Sequence, residues 1–326
     1  MILPKESKPV GVNHIFWSNY MKLLIVFLML ASFLCRGQDL LKIIVPFSPG
    51  GAPDVATRLI EVPLSKQLNQ PIQVDYKVGA GGEIGHKALA SADSKNMTLA
   101  MTTVSVVINN VLKTPQPYDL NNMIPVAYIQ VPFVLFVSSK TNIKNLKDLQ
   151  NHKGNLNYGT FGYGSATHII SEQLAKNLNK SWTQIPYKGA PQITQALLAG
   201  DIDMAILFYP QALPLMQNNQ QVIPLTIDLP KRHPGWPGLP TFTEFTLKKV
   251  ANTSYVILLS NSLNNTKEIT RVQTAFLEIL KNEDLLDKFN HNGFILDSAH
   301  VIPTSDFLLR EKTRVFQLIR DLNIKD

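Results

Sequence analysis

Short β-branched runs and stretches of helical spacing follow one another along most of this chain, and the clearest unit comes early. In residues 42–58, K-I-I-V-P-F-S-P-G-G-A-P-D-V-A-T-R, Ile43, Ile44 and Val45 form a run suited to a strand buried on both faces. Ser48-Pro49-Gly50-Gly51 breaks that run, and Pro53 stands where a starting helix tolerates a missing N–H. Residues 55–68 continue with helical spacing at Val55, Leu59 and Leu68, with Pro63 as a kink. A strand, glycine turn and helix in this order present unpaired N–H groups and a positive dipole end at one point, which suits an anion such as a carboxylate. The same turn serves equally as a tight connection with no ligand. No Gly-Lys-Ser/Thr follows the glycines, so this is not a phosphate-binding P-loop.

The pattern repeats downstream. Residues 71–76 predict a second strand, Gly79-Ala80-Gly81-Gly82 leads into a helix over 84–92, and residues 98–101 predict a third strand. The glycines miss dinucleotide spacing, because Ile84 holds the third glycine's place and no acid ends the next strand. Met101-Thr102-Thr103-Val104-Ser105 sets hydroxyls at the carboxyl edge of the sheet, where ligands collect in open α/β folds. Three loops, 48–51, 78–82 and 102–105, then line one rim. The apolar stretch 128–138, broken at Pro132, predicts a crossing between lobes. Residues 157–168, N-Y-G-T-F-G-Y-G-S-A-T-H, form a second glycine turn into a helix over 167–178, capped by Ser165 or Thr167. Residues 185–189 predict a strand and turn, 193–198 a helix ending at Gly200, and 202–208 a buried strand. A return crossing at 222–226, a proline- and glycine-rich loop at 231–240, a strand at 255–259 and amphipathic helices at 267–280 and 304–322 complete the chain. This alternation implies parallel sheets covered by helices on both faces.

Bulk properties narrow the function. A chain of 326 residues, 45% hydrophobic, fits two domains. The apolar run 23–34 follows Lys22 and is too short to span a bilayer, while Cys35 and Gly37 sit at −3 and −1 of a cut before Gln38. Residues 1–37 therefore read as a secretory signal whose polar first 20 residues are an over-extension, with Met21 as the expected true start. The mature chain then has no cysteine, which excludes disulfides, thiol catalysis and Cys-ligated zinc. Removing those residues takes four basic and one acidic side chain, and the charge falls from +7 to +4. With no basic run, nucleic acid is not an expected partner. The seven histidines never fall in paired metal spacing, and no metal or cofactor is expected. Ser165 and His168 are three apart but lack a nucleophile elbow and an orienting acid, so no enzyme is expected. His86 and His168 read as polar surface or helix-start residues.

Five motifs in order resemble the Bug-type periplasmic substrate-binding proteins of tripartite tricarboxylate transporters, along the whole mature chain. They are V-P-F-S-P-G-G at 45–51 with Asp54, Ala56 and Arg58; G-A-G-G-E-I-G at 79–85; N-Y-G at 157–159 with Gly162, Gly164, Ser165 and His168; P-Y-K-G at 186–189; and G-D-I-D-M at 200–204. The resemblance implies an α/β, two-lobed type II periplasmic-binding-protein fold, each lobe a mostly parallel sheet flanked by helices. Residues 38–130 with 225–326 would form one lobe and 131–224 the other, hinged near 129–131 and 224–226. It implies an extracytoplasmic protein that holds a small organic acid or amino acid between the lobes by backbone amides. The candidate ligand-binding residues are Phe47, Ser48, Pro49, Gly50, Gly51 and Asp54 in the first loop and helix, and Thr103 and Ser105 in the third loop. The second lobe offers Gly162, Gly164, Ser165, Thr167 and His168. Asp203 matches the family's acidic position, as a structural residue or as a ligand contact. The expected partners are the two membrane subunits of a tripartite transporter or, as the rival reading, a membrane sensor; a monomer is expected. Two departures stand out: Leu207-Phe208-Tyr209 where members often carry an acid, and Ser254-Tyr255-Val256-Ile257 where a strand bearing tryptophan and glycine is common.

Overall fold

From Leu40 onward the chain builds two five-stranded sheets, each covered by helices. The computed structural model describes residues 40–93, 97–218, 220–245, 255–261, 266–296 and 301–324. The signal segment expected at 1–37, with Cys35, and the substituted Ser254 lie outside these residues. Among the described residues no helix is long and apolar enough to cross a membrane.

The chain begins with β1 (Leu41–Val45), α1 (Ala52–Leu68) and β2 (Ile72–Tyr76). A short 3-10 turn at Ala80–Gly82 then leads into α2 (Glu83–Ala90), β3 (Thr98–Thr103), α3 (Ser105–Leu112) and β4 (Ile124–Gln130). After Val131 and Pro132 it enters the second sheet with β5 (Phe133–Ser138), α4 (Leu146–Asn151), β6 (Asn157–Thr160) and α5 (Ala166–Asn177). There follow β7 (Thr183–Pro186), α6 (Ala190–Ala199), β8 (Met204–Phe208), α7 (Tyr209–Asn218) and β9 (Val222–Ile227). It returns through β10 (Tyr255–Ser260) and closes with α8 (Thr266–Ile279), α9 (Glu283–His291) and α10 (Phe307–Leu322).

The strand orders are β2-β1-β3-β10-β4 and β7-β6-β8-β5-β9. β3, β5, β8 and β10 are buried along their whole length, as interior strands covered on both faces must be. In each sheet four strands run one way and one is reversed: β10 is antiparallel to β3 and β4, and β5 to β8 and β9. The reversed strand is the one that arrives from the other lobe. β5 continues straight out of β4 and so runs away from the crossing, while β1, β3, β6 and β8 end towards it. Their carboxyl ends carry the loops that form the site.

The structure changes the expected return crossing and adds four helices. The return crossing expected at 222–226 is β9, laddered to β5 through pairs such as Ile227 with Val134, so the chain leaves the second sheet only after Ile227. A hinge at 224–226 would break that ladder. Residues 105–112, 146–151, 209–218 and 283–291, given no helix by their spacing, are α3, α4, α7 and α9. Seven of the eight α3 residues are buried, which erases an amphipathic period.

Candidate functional site

Three helices start at the gap between the lobes. α1 is capped by Gly51, whose φ of −74° and ψ of 163° are extended backbone that any residue adopts, and Pro53 sits in its first turn. α5 is capped by Ser165, whose Oγ accepts the His168 N–H at 3.3 Å. α6 starts after Gly189, with Pro191 in its first turn. Gly51, Ala52 and Pro53 of the first helix, Ser165 and Ala166 of the second and Ala190 of the third line one cleft. Strand ends and their loops supply Phe47, Ser48, Thr103, Phe161 and Phe208. The first N–H groups of each helix have no partner within their own helix, and each start carries a partial positive charge. No side chain lining the cleft is ionisable.

The lobes meet at close range. Ser48 Oγ donates to the Lys188 carbonyl at 3.0 Å, and Gln211 Nε2 to the Gly50 carbonyl at 2.8 Å. A Cβ on Gly81 would lie 2.2 Å from the Tyr163 carbonyl oxygen, and one on Gly189 2.4 Å from Ser48 Cβ. Glycine at these positions lets one lobe rest on the other. Beyond Phe47 and Phe161, which border both spaces, lies a second opening of about 410 Å³ lined by residues 79–82, Tyr163, Tyr187 and Lys188.

The expected site residues divide into those that face the cleft and those that hold it. Phe47, Ser48, Gly51, Thr103 and Ser165 line it, and Pro49 and Gly50 lie in the same loop. Asp54 is a brace: its carboxylate accepts the Gly50 N–H at 2.7 Å and the Tyr76 hydroxyl at 2.5 Å, with Arg58 Nε 3.5 Å away. The Gly50 amide is thereby used within the protein. Ser105 Oγ accepts from Thr103 Oγ1 at 2.9 Å, which orients the threonine. In the second-lobe loop the Phe161 N–H goes to Thr167 Oγ1 at 3.2 Å, Gly162 N–H to Thr160 Oγ1 at 3.2 Å, and Gly164 N–H to His168 Nδ1 at 3.4 Å. These amides shape the turn, and the donors left at α5 are those of its first residues. Asp203 precedes the amino end of β8, opposite Phe208, and its Oδ2 accepts the Asn157 N–H at 2.7 Å. It joins two strands and does not line the cleft.

His168 is buried, and burial pushes its imidazole down to about 4. His86 is fully buried, against the surface or helix-start position expected, and burial pushes it down to about 3, Glu83 pulling weakly the other way. Its Nε2 lies 2.7 Å from Thr102 Oγ1 and its Nδ1 3.2 Å from the Tyr118 hydroxyl. That hydroxyl donates to the Val106 carbonyl at 2.6 Å, so it accepts from His86 Nδ1–H and leaves Nε2 to accept from Thr102. A Cβ on Gly82 would be 2.9 Å from the His86 ring and 3.0 Å from that of Phe47, so this buried network supports the cleft wall.

Ala52, Pro53, Phe161, Ala166, Ala190 and Phe208 line the cleft without being among the expected ligand-binding residues, Pro53 being expected only as a helix-start residue. Phe161 and Ala166 lie inside a quoted motif, and Phe208 was marked as a departure. Ala190 had one signal, the glycine before it.

A two-lobed α/β protein whose helix starts meet in an uncharged gap belongs to the periplasmic-binding-protein class of ligand-binding shells. A family model described as "Tripartite tricarboxylate transporter family receptor" matches residues 56–324, and the chain belongs to that family, whose members are solute-binding proteins rather than enzymes. A UPF0065 protein of Pseudomonas sp. (strain P51) is 30% identical over 210 residues, which span 62% of this chain and 61% of that protein. Protein BugT of Bordetella pertussis is 26% identical over 87% of this chain and 90% of its own length. Among solved structures, the periplasmic binding protein BugD superposes with a TM-score of 0.81 at 18% identity, covering 88% of this chain and 98% of BugD. MatC of Rhodopseudomonas palustris with bound malate gives 0.77 at 23%, covering 86% and 98%. At these identities the two structures establish a shared fold.

Proposed function

We propose that the protein is a periplasmic solute-binding protein that captures a small carboxylate-bearing ligand between its lobes and delivers it to the two membrane subunits of a tripartite tricarboxylate transporter. The observation that carries this reading is the convergence of three helix starts, one from the first lobe and two from the second, on a cleft without charged side chains. A carboxylate there meets N–H donors and helix-dipole ends from both sides. Contacts to both lobes favour the closed arrangement, and the ligand shifts the population towards it by its differential affinity. Motion about Val131-Pro132, the short link from β4 to β5, opens the gap. Family membership supports the transport role, and the malate bound by MatC supports a carboxylate.

The ligand contacts assigned by this reading are the N–H groups opening α1, α5 and α6, with the hydroxyl of Ser165. Two variants test them after a thermal-shift screen of mono-, di- and tricarboxylates has supplied a binder. Gly51→Val suits the extended backbone at Gly51 but places an isopropyl group in the cleft; Ser165→Ala removes a hydroxyl and a cap worth about 1 kcal/mol. Both are expected to fold and to bind at least tenfold more weakly. Wild-type affinity in both would place the ligand elsewhere.

A further inference from the structure

The carboxylate reading leaves open what the rest of the ligand is, and the cleft wall answers that. We infer that the ligand is a monocarboxylate with a hydrocarbon body, aromatic or aliphatic, and that Phe208 with Phe161 selects it against amino acids and dicarboxylates. This rests on the assignment of the helix starts as the carboxylate site.

Three phenyl rings stand around the gap. Phe47 comes from the first lobe, and its ring centre lies 6.2 Å from that of Phe161 at 59°. Phe161 and Phe208 come from the second lobe, and their rings are nearly parallel, 7° apart in plane with centres 6.3 Å apart. All three are buried, and Ala52, Pro53 and Ala190 complete an apolar surface. The wall has three polar side chains, and the two besides Ser165, which is assigned to the carboxylate, both donate within the protein. Ser48 Oγ donates to the Lys188 carbonyl, and Thr103 Oγ1 donates to Ser105 Oγ.

An amino acid would bring an ammonium into this space, and no carboxylate lines it. Asp54, in the first turn of α1, already takes the Gly50 N–H and the Tyr76 hydroxyl and faces Arg58. The phenyl faces offer it a cation–π contact worth about 2- to 30-fold in affinity, which does not offset the cost of desolvating an ammonium without a carboxylate partner and beside positive helix starts. A second carboxylate would face phenyl rings, whose faces are electronegative. A hydrocarbon body gains from every apolar contact the wall offers. The outer opening beside Lys188 is the one place where a long diacid could set a second charge, and adipate probes it.

The test is calorimetric titration of the purified protein with benzoate, phenylacetate and hexanoate, and with succinate, malate, adipate and L-glutamate. At least one of the first three is expected to bind, with the others roughly a hundredfold weaker or more. In Phe208→Asp the preferred monocarboxylate is expected to weaken and L-glutamate to gain. Phe208→Leu, which keeps the wall apolar and the core filled, is expected to retain the discrimination and shows whether the position tolerates change. Tighter binding of malate, succinate, adipate or glutamate than of all three monocarboxylates would overturn the inference and leave carboxylate capture standing. Binding of none of the seven acids would overturn this inference, and binding of none of them nor of any acid in the thermal-shift screen would overturn the carboxylate reading as well.

Discussion

Adding one methyl group at Gly81 should keep the lobes apart. Gly81 has φ +62°, so alanine there costs about 1 kcal/mol of backbone strain whether the lobes are open or closed. Closure adds a second cost. The new Cβ would lie 2.2 Å from the Tyr163 carbonyl oxygen, where real contacts essentially never fall below 3.0 Å, so the loops must separate by about 0.8 Å. Neither can withdraw easily: the Gly81 carbonyl accepts from Asn109 Nδ2 at 3.0 Å, and the turn around Tyr163 is held by the Ser165 N–H on the Gly162 carbonyl at 3.2 Å and the Gly164 N–H on His168 Nδ1 at 3.4 Å. Overpacking of this kind costs about 1–3 kcal/mol, which predicts a loss of affinity of about 5- to 150-fold. Gly50→Ala is the matched control. It has φ +85° but no atom within 4 Å of the added Cβ, so it should lose the same stability and keep its affinity. Titration calorimetry gives the affinities, and X-ray scattering with saturating ligand reports whether Gly81→Ala compacts less than wild type. Wild-type affinity in Gly81→Ala, or an equal loss in Gly50→Ala, would refute closure at this contact.

Three further outcomes follow from the same geometry. Asp203→Ala loses a strand-to-strand hydrogen bond and should cost about 1 kcal/mol in urea unfolding while ligand affinity is unchanged; a tenfold loss of affinity would return Asp203 to the site. Tyr118→Phe leaves the buried His86 Nδ1–H without its acceptor and should cost about 1–3 kcal/mol by the same assay, whereas a neutral effect would contradict the assigned tautomer. His86 and His168 are held at about 3 and about 4 in the fold against 6.5 when exposed, so between pH 6.5 and 5 the unfolded chain takes up protons that the folded one refuses. Stability should therefore fall as pH falls through that window, by up to about 1.4 kcal/mol per pH unit for each histidine. Urea midpoints at pH 6.5 and 5 check this, and a flat or rising stability would contradict it.

What the sequence shows and hides has physical causes. Ile43–Val45, the glycines and Pro53 announce β1, its turn and α1 because local chemistry alone fixes them. The loops that meet at the cleft could be ordered along one sheet edge for the same reason. α3 could not be read, since S-V-V-I-N-N-V-L is β-branched and its helix is stabilised by burial on nearly every side. α7 was hidden by Pro210 and Pro214, the second of which lies inside the helix. The burial of His86 depends on Thr102 and Tyr118, which are distant in the chain and polar neighbours in sequence tell nothing of them. Glycine-rich turns also do not disclose which amides remain for a ligand. Those of Gly50, Phe161, Gly162 and Gly164 are spent inside the protein, on partners that only the fold brings close.

The central claim is that one small acid is held by helix starts from both lobes at once. The most direct measurement is a crystal structure of the protein with the tightest-binding acid from the screen. The account predicts carboxylate oxygens within hydrogen-bond distance of the first N–H groups of α1 and of α5, with the body against Phe161 and Phe208. A carboxylate paired to a lysine or arginine, or an acid touching one lobe alone, would contradict it.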